Sequence, residues 1–323
     1  MRVAGGVDTS AQHAIDAYRL AQVDAHDDAW LRHNIKRGKL RETLVTQPLA
    51  LRGTLNRTKG RAMSYTAQFT PAAQELIDRM LGGEAPSLAE TNPEFVERIA
   101  NFAFDEVVNV SKSQLTVRQQ FMCWIATTLG CQGLDAFRSL APAALRVGLE
   151  PVALREIVYQ AVAYLGIGRV FPFVKALDEI FEAEGIELPL PEQARTTPDE
   201  ESRYELGEEA QCAAIGEARA RGMRYKGHPD YPWISQWLVK NCFGDWYTRD
   251  GLTIPEREMV TFCYIAAQGG CESQLRGHTN ANVQCGNDRD FLIAVVSNNV
   301  PFIGYPRTLN AMAVVEEITG KKE

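Results

Sequence analysis

The chain repeats itself at one fixed offset. Gly166 in "AYLGIGR" recurs as Gly304 in "PFIGYPR", 138 positions on (304 − 166). The same offset pairs Arg138 with Arg276, Gly148 with Gly286, Leu154 with Leu292, Arg169 with Arg307, and Glu179-Ile180 with Glu317-Ile318. Upstream, "SQLTVRQQ" (113–120) parallels "DGLTIPERE" (250–258) with a small change of register. Matching glycines at two helix ends, in the same order of patterns, point to a duplicated unit.

The repeated unit reads as helical. From Met63 onward, segments such as "PEFVERIANFAFDEVV" and "PRTLNAMAVVEEI" keep apolar residues at spacings of three and four. Alternating strand patterns bounded by turn signals are scarce. The expected fold class is therefore all-α, with tandem helical-bundle repeats. Residues 63–186 form the first repeat and 206–323 the second. The proline-rich, acidic stretch 187–205, "ELPLPEQARTTPDEESRYE", is expected to link them. Residues 1–62 differ from the rest, with Arg/Lys clusters and little apolar periodicity. They read either as an extension from a wrongly chosen initiator or as a genuine flexible tail.

Composition narrows the function. A net charge of −7 and a pI near 5.4 give no basic excess to neutralise phosphates, which disfavours nucleic acid and anionic membranes as partners. No run of 18 apolar residues appears, and the N-terminus lacks a signal peptide's apolar region. Seven scattered cysteines without a C-x-x-C read as reduced thiols of a cytoplasmic protein, not as a disulfide framework or zinc site. With 45% apolar residues the chain is expected to be globular.

The second repeat carries the candidate chemistry. Pro255 suits the first turn of a helix running to about Gln268, with Met259, Phe262, Cys263 and Ala266 on one stripe. Gly269-Gly270 ends it. A second helix is expected from about Cys271 to Cys285, closed by Gly286. Asn287 is expected to cap a third, which Pro301 ends, and Pro306 to open the last. On the second helix, Cys271, Leu275, His278 and Asn282 share a face, with Gln274 one turn before His278. An inward histidine needs partners, and Glu258 or Glu256 can supply one if the helices pack antiparallel. His228, in "KGHPDYPW", reads as a loop histidine. In "FGDWYTRDG", Trp246 and Tyr247 read either as a cover for a pocket mouth or as core aromatics.

The segment "TIPEREMVTFCYIAAQGGCESQLRGHTNANVQCG" followed by "PFIGYPRTLNAM" resembles the carboxymuconolactone decarboxylase family, within the alkylhydroperoxidase D-like superfamily. The resemblance covers 252–318 and, more weakly, 114–180. It implies an all-helical, cofactor-free, oligomeric protein whose active-site histidine is His278. The peroxidase branch carries a C-x-x-C pair with its histidine four residues after the second cysteine. Here the second cysteine's place is taken by Gln274. Cys271 lies seven residues before His278, about 10.5 Å along a helix at ~1.5 Å per residue, too far for thiolate generation.

After residue 62 the only histidines are His228 and His278, at a spacing that matches no usual metal-ligand set, so acid–base chemistry fits better than a metal centre. His278 is the expected proton donor and Glu258 its orienting partner, with Glu256 competing for that role. Gln274, Cys271, Asn282 and Trp246 are the expected substrate contacts. The leading reading is a decarboxylase-like lyase for a small lactone or unsaturated carboxylate. The competitors are a thiol peroxidase or reductase and a non-catalytic helical assembly module. In the first repeat, Leu140 stands at His278's place and Gln120 at Glu258's, so that half is expected to act as scaffold. Single-repeat relatives form rings, which makes a homo-oligomer, most plausibly a trimer, the expected assembly.

Overall fold

Thr70 and Pro71 open the first helix of a computed structural model that describes residues 65–225 and 229–320. The readings made for residues 1–62 and for His228 lie outside the described residues. Within these there is helix and no strand, as the periodicity predicts.

The elements come in two similar series. The first consists of α1 (Pro71–Leu81), α2 (Pro93–Asn101) running through a π-helical segment (Phe102–Val107) into α3 (Val108–Ser111), then α4 (Val117–Gly130), α5 (Leu134–Arg146), α6 (Pro151–Leu165) and α7 (Ile167–Ala183). The second consists of α8 (Glu200–Ile215), α9 (Glu217–Tyr225), α10 (Trp233–Trp237) running into a second π-helical segment (Leu238–Tyr247), then α11 (Ile254–Gln268), α12 (Glu272–Gln284) and α13 (Arg289–Thr319). Both α4 and α11 open on a reciprocal capping box, Thr116 with Gln119 and Thr253 with Glu256. A positive-φ glycine separates α6 from α7 (Gly166, φ 78°) and breaks α13 at the corresponding point (Gly304, φ 69°).

Three boundaries differ from the sequence reading. Helix α13 is capped by Asp288, which accepts from the Phe291 amide at 2.9 Å, and not by Asn287. Pro301 lies inside α13, and the break falls at Gly304, where the left-handed conformation suits glycine. Of the stretch 187–205, residues from Glu200 are already helix. Asp199 caps that helix by accepting from the Ser202 amide at 2.8 Å, and Glu200 and Glu201 complement its positive end.

Helices α4 and α11 form the centre. They run side by side in the same direction. Arg118 pairs with Glu256 near their N-termini, and Gly130 near the C-terminal ends leaves no space for a Cβ, which would stand 2.6 Å from the Tyr264 carbonyl oxygen. Every residue of α11 from Arg257 to Ala267 is buried, so the single apolar stripe read from sequence is in fact a helix enclosed on all sides. One apolar core runs through both series, joining Phe121, Trp124, Phe137 and Phe173 to Met259, Phe262, Val295 and Val315. Burying side chains of this size stabilises by roughly 1.5–3 kcal/mol each.

Two contacts place the second π-helical segment. Gly207 of α8 and Gly244 cross so closely that a Cβ on either would stand 2.3 Å from a backbone oxygen of the other helical segment, of Val239 and Arg203 respectively. Beside the crossing, Arg203 grips Asp245 in a two-point ion pair at 2.7 and 2.6 Å. The segment is thereby held with Cys242, Phe243 and Tyr247 in a small apolar cluster with Ala214.

Candidate active site

His278 sits on α12 with its Nδ1 2.7 Å from Oε2 of Glu258 on α11. Glu258 is fully buried, and the imidazole is mostly so. A buried carboxylate is costly unless hydrogen-bonded and paired. Here Oε1 accepts from the Tyr247 hydroxyl at 2.9 Å, and Oε2 accepts from the Nδ1–H of His278. Tyr247 spends its one proton on Glu258, so its two further neighbours must donate to it: the Tyr164 hydroxyl at 2.8 Å and the Thr261 hydroxyl at 3.0 Å. Gln160 in turn donates to Thr261 at 2.8 Å. Burial first, and then nearby negative charge, pushes both tyrosine hydroxyls well above the ordinary phenol range, which keeps them protonated as donors.

Glu256, the other carboxylate considered for this role, is engaged elsewhere. It closes the capping box with Thr253 and pairs with Arg118. Two residues of sequence decide this, because on α11 they turn Glu258 inward and leave Glu256 at the rim.

With Nδ1 donating to Glu258, the neutral imidazole presents Nε2 as an acceptor and the imidazolium presents it as a donor. His278 lines a cavity of about 430 Å3. Ser273, Gln274, Gly277 and His278 form its α12 wall, and Cys271 lies at its edge. Apolar side chains, including Ile215, Leu238, Phe243 and Ile265, supply most of the remainder. Such a pocket suits a small organic ligand.

The structure brings together four of the six residues read as site candidates: His278, Glu258, Gln274 and Cys271. Asn282 is fully buried behind the cavity wall. Its amide donates to the backbone oxygens of Glu258 at 3.0 Å and His278 at 2.8 Å, fixing the two helices that carry the pair. Asn287 holds Asn282 in turn, donating to its Oδ1 at 2.8 Å. Trp246 stands outside the cavity. Its ring meets Tyr159 edge-on, at 6.3 Å between centroids. The π-helical winding turns Trp246 away and points its neighbour Tyr247 inward.

Sequence reasoning missed Tyr164 and Arg219. Tyr164, on α6 of the first series, lines the cavity and meets His278 edge-on, with centroids 5.3 Å apart. The first half therefore contributes to the site as well as supporting it. Its own counterpart positions hold Leu140 and Gln120, both buried. Gln120 donates to Ser111 at 3.3 Å, so there is no ionisable pair there.

The thiols form no disulfide. All seven cysteines are free. Burial pushes the Cys242 thiol, in the cavity wall, up to about 12. Burial and the charge of Glu258 push Cys285 up to about 11. Among the described residues no group of three His, Cys, Asp or Glu is placed to hold a metal ion, and no helix is long and apolar enough to cross a membrane.

A sequence model of the Carboxymuconolactone decarboxylase family matches residues 232–317, about a quarter of the chain. Among solved structures it is similar to a Burkholderia xenovorans LB400 protein provisionally described as a gamma-carboxymuconolactone decarboxylase subunit. The identity is 19% and the TM-score 0.45, with 76% of this chain and 96% of that one covered. A comparison with curated proteins gives no match.

Proposed function

We propose that the chain is a cofactor-free lyase that decarboxylates a small lactone or unsaturated carboxylate by acid–base chemistry at His278. The observation that carries this reading is the buried Glu258 carboxylate 2.7 Å from His278 Nδ1, which leaves Nε2 for the cavity. Glu258 fixes the ring and stabilises the imidazolium.

The reaction balances with one proton. The carbon–carboxylate bond breaks, CO2 departs, and its electron pair passes onto the lactone or conjugated carbonyl as an enolate. The imidazolium Nε2–H then delivers its proton to carbon, and the neutral imidazole regains one from solvent. Gln274, whose amide lines the same wall, is proposed to bind the substrate's oxygen. Cys271, 2.9 Å from the Gln268 amide nitrogen, is proposed as a wall contact without redox function.

The family match over 232–317 supports this reading, and the absence of a C-x-x-C pair, with Gln274 where a second cysteine would stand, weighs against the peroxidase alternative. The two series of helices are proposed to stem from a duplication, with the second carrying the acid–base pair. The protein is proposed to be cytoplasmic, and to assemble as a homotrimer through apolar faces that each series exposes. A screen of unsaturated lactone carboxylates for CO2 release, with wild type and His278→Ala side by side, tests the reading.

A further inference from the structure

We propose that Arg219 anchors the carboxylate of an organic acid in the cavity, its guanidinium seated over Gly277 beside His278. This deepens the reading above and rests on it for the chemistry, though not for the binding. Arg219 and Met223, one turn apart on α9, both line the cavity. A Cβ built on Gly277 would stand 3.1 Å from Nη2 of Arg219, so the guanidinium reaches α12 at the residue before His278, over a position with no side chain.

Arg219 has no ion pair or hydrogen bond among the described residues, whereas its neighbour Arg221 is paired with Glu217. None of the residues lining the cavity is Asp or Glu, and Glu258 lies behind the imidazole. The cavity thus carries an unpaired cation beside the polar α12 wall of Ser273, Gln274 and His278, with mostly apolar side chains opposite. That pattern fits a ligand with an apolar body and one anionic end. A planar carboxylate matches the two-point geometry of a guanidinium. A doubly charged phosphate would be left half-neutralised by a single arginine. Helix α9 lies outside the segment that matches the family, so this contribution comes from the part of the chain that the family model does not describe.

The test uses the full chain and two probes of equal shape, 4-fluorobenzoate and 4-fluorobenzamide, followed by fluorine NMR. Wild type is expected to bind the benzoate. Arg219→Gln is expected to weaken it by about 10–100-fold, the usual cost of losing a charged hydrogen-bond partner. Arg219→Lys should recover part of that loss, and the benzamide should bind all three proteins alike. Inorganic phosphate at the same concentration should not displace the benzoate. Equal benzoate affinity in wild type and Arg219→Gln, no binding to wild type at millimolar concentration, or displacement by phosphate would each overturn the proposal. Arg219 is exposed, so folding should survive both substitutions. No turnover is read, so this result and the His278→Ala assay fail independently.

Discussion

The phenol ring of Tyr164 stands edge-on to the imidazole of His278, with centroids 5.3 Å apart, and its hydroxyl lies 2.8 Å from that of Tyr247. One residue of the first series thus touches both His278 and the phenol that holds its carboxylate partner. The site is built between the two series of helices, although the ionisable pair belongs to the second.

Removing the Tyr247 hydroxyl tests that chain of donors. Tyr247→Phe keeps the ring in its buried place but leaves Oε1 of Glu258 without its donor. An unsatisfied buried acceptor costs about 1–3 kcal/mol, and more when charged. Urea unfolding should register a loss in that range. A change within about 0.5 kcal/mol, the spread of neutral surface substitutions, would mean that the hydroxyl is not needed there.

Leu140, which occupies the histidine's place in the first series, separates stability from chemistry. It is buried among core residues. Leu140→Ala should cost about 2–5 kcal/mol of stability. Turnover per folded molecule should stay near wild type, because no ionisable group is lost. Selective loss of turnover at unchanged stability would place a second active centre in the first half.

The thiols give a prediction in pH. Cys242 and Cys285 are raised to about 12 and about 11. Alkylation of both in the native protein should be slow at neutral pH and should rise about tenfold per pH unit until those values are approached. The unfolded chain ionises its thiols first, near 8.5, so these two groups stabilise the fold below that pH. Their contribution is lost as pH rises from about 8.5 through 11 and 12. Fast labelling of Cys242 at pH 7, or hydroperoxide turnover that vanishes in Cys271→Ser, would favour the thiol reading instead.

Four exposed apolar residues form two corresponding pairs. Ile167 and Phe171 open α7, and Tyr305 and Leu309 open the part of α13 that follows Gly304. Faces of this kind mark contact surfaces. Light scattering of wild type should give a multiple of the chain mass, three by our proposal. Phe171→Glu with Leu309→Glu should give a smaller species with the same helical circular dichroism. A monomeric wild type at micromolar concentration would refute the assembly.

Much of this was legible in the sequence, for physical reasons that can be named. The starts of α4 and α11 are written in local chemistry, Thr116 with Gln119 and Thr253 with Pro255 and Glu256, which needs no tertiary contact to act. His278 and Glu258 were accessible because two neighbouring helices with a short turn bring them together. Tyr164 was not, because it reaches His278 from an element more than a hundred residues upstream and carries no motif of its own. Trp246 and Tyr247 could not be told apart, because π-helical winding changes which neighbour faces inward, and spacings of three and four do not reveal it. Arg219 was hidden for another reason. Its significance lies in what Gly277 lacks, and only coordinates show a guanidinium filling the space of an absent side chain.

The most direct test of the central claim is decarboxylation in D2O by wild type and His278→Ala. Once the lactone screen provides a substrate, wild type should release CO2 and place one deuterium on the former carboxylate-bearing carbon. His278→Ala, with unchanged helical circular dichroism, should be slower by about 10²–10⁴-fold, the usual contribution of a general acid–base group. If His278→Ala turns the same substrate over at the wild-type rate, the histidine is a packed core residue and the acid–base site proposed here does not exist.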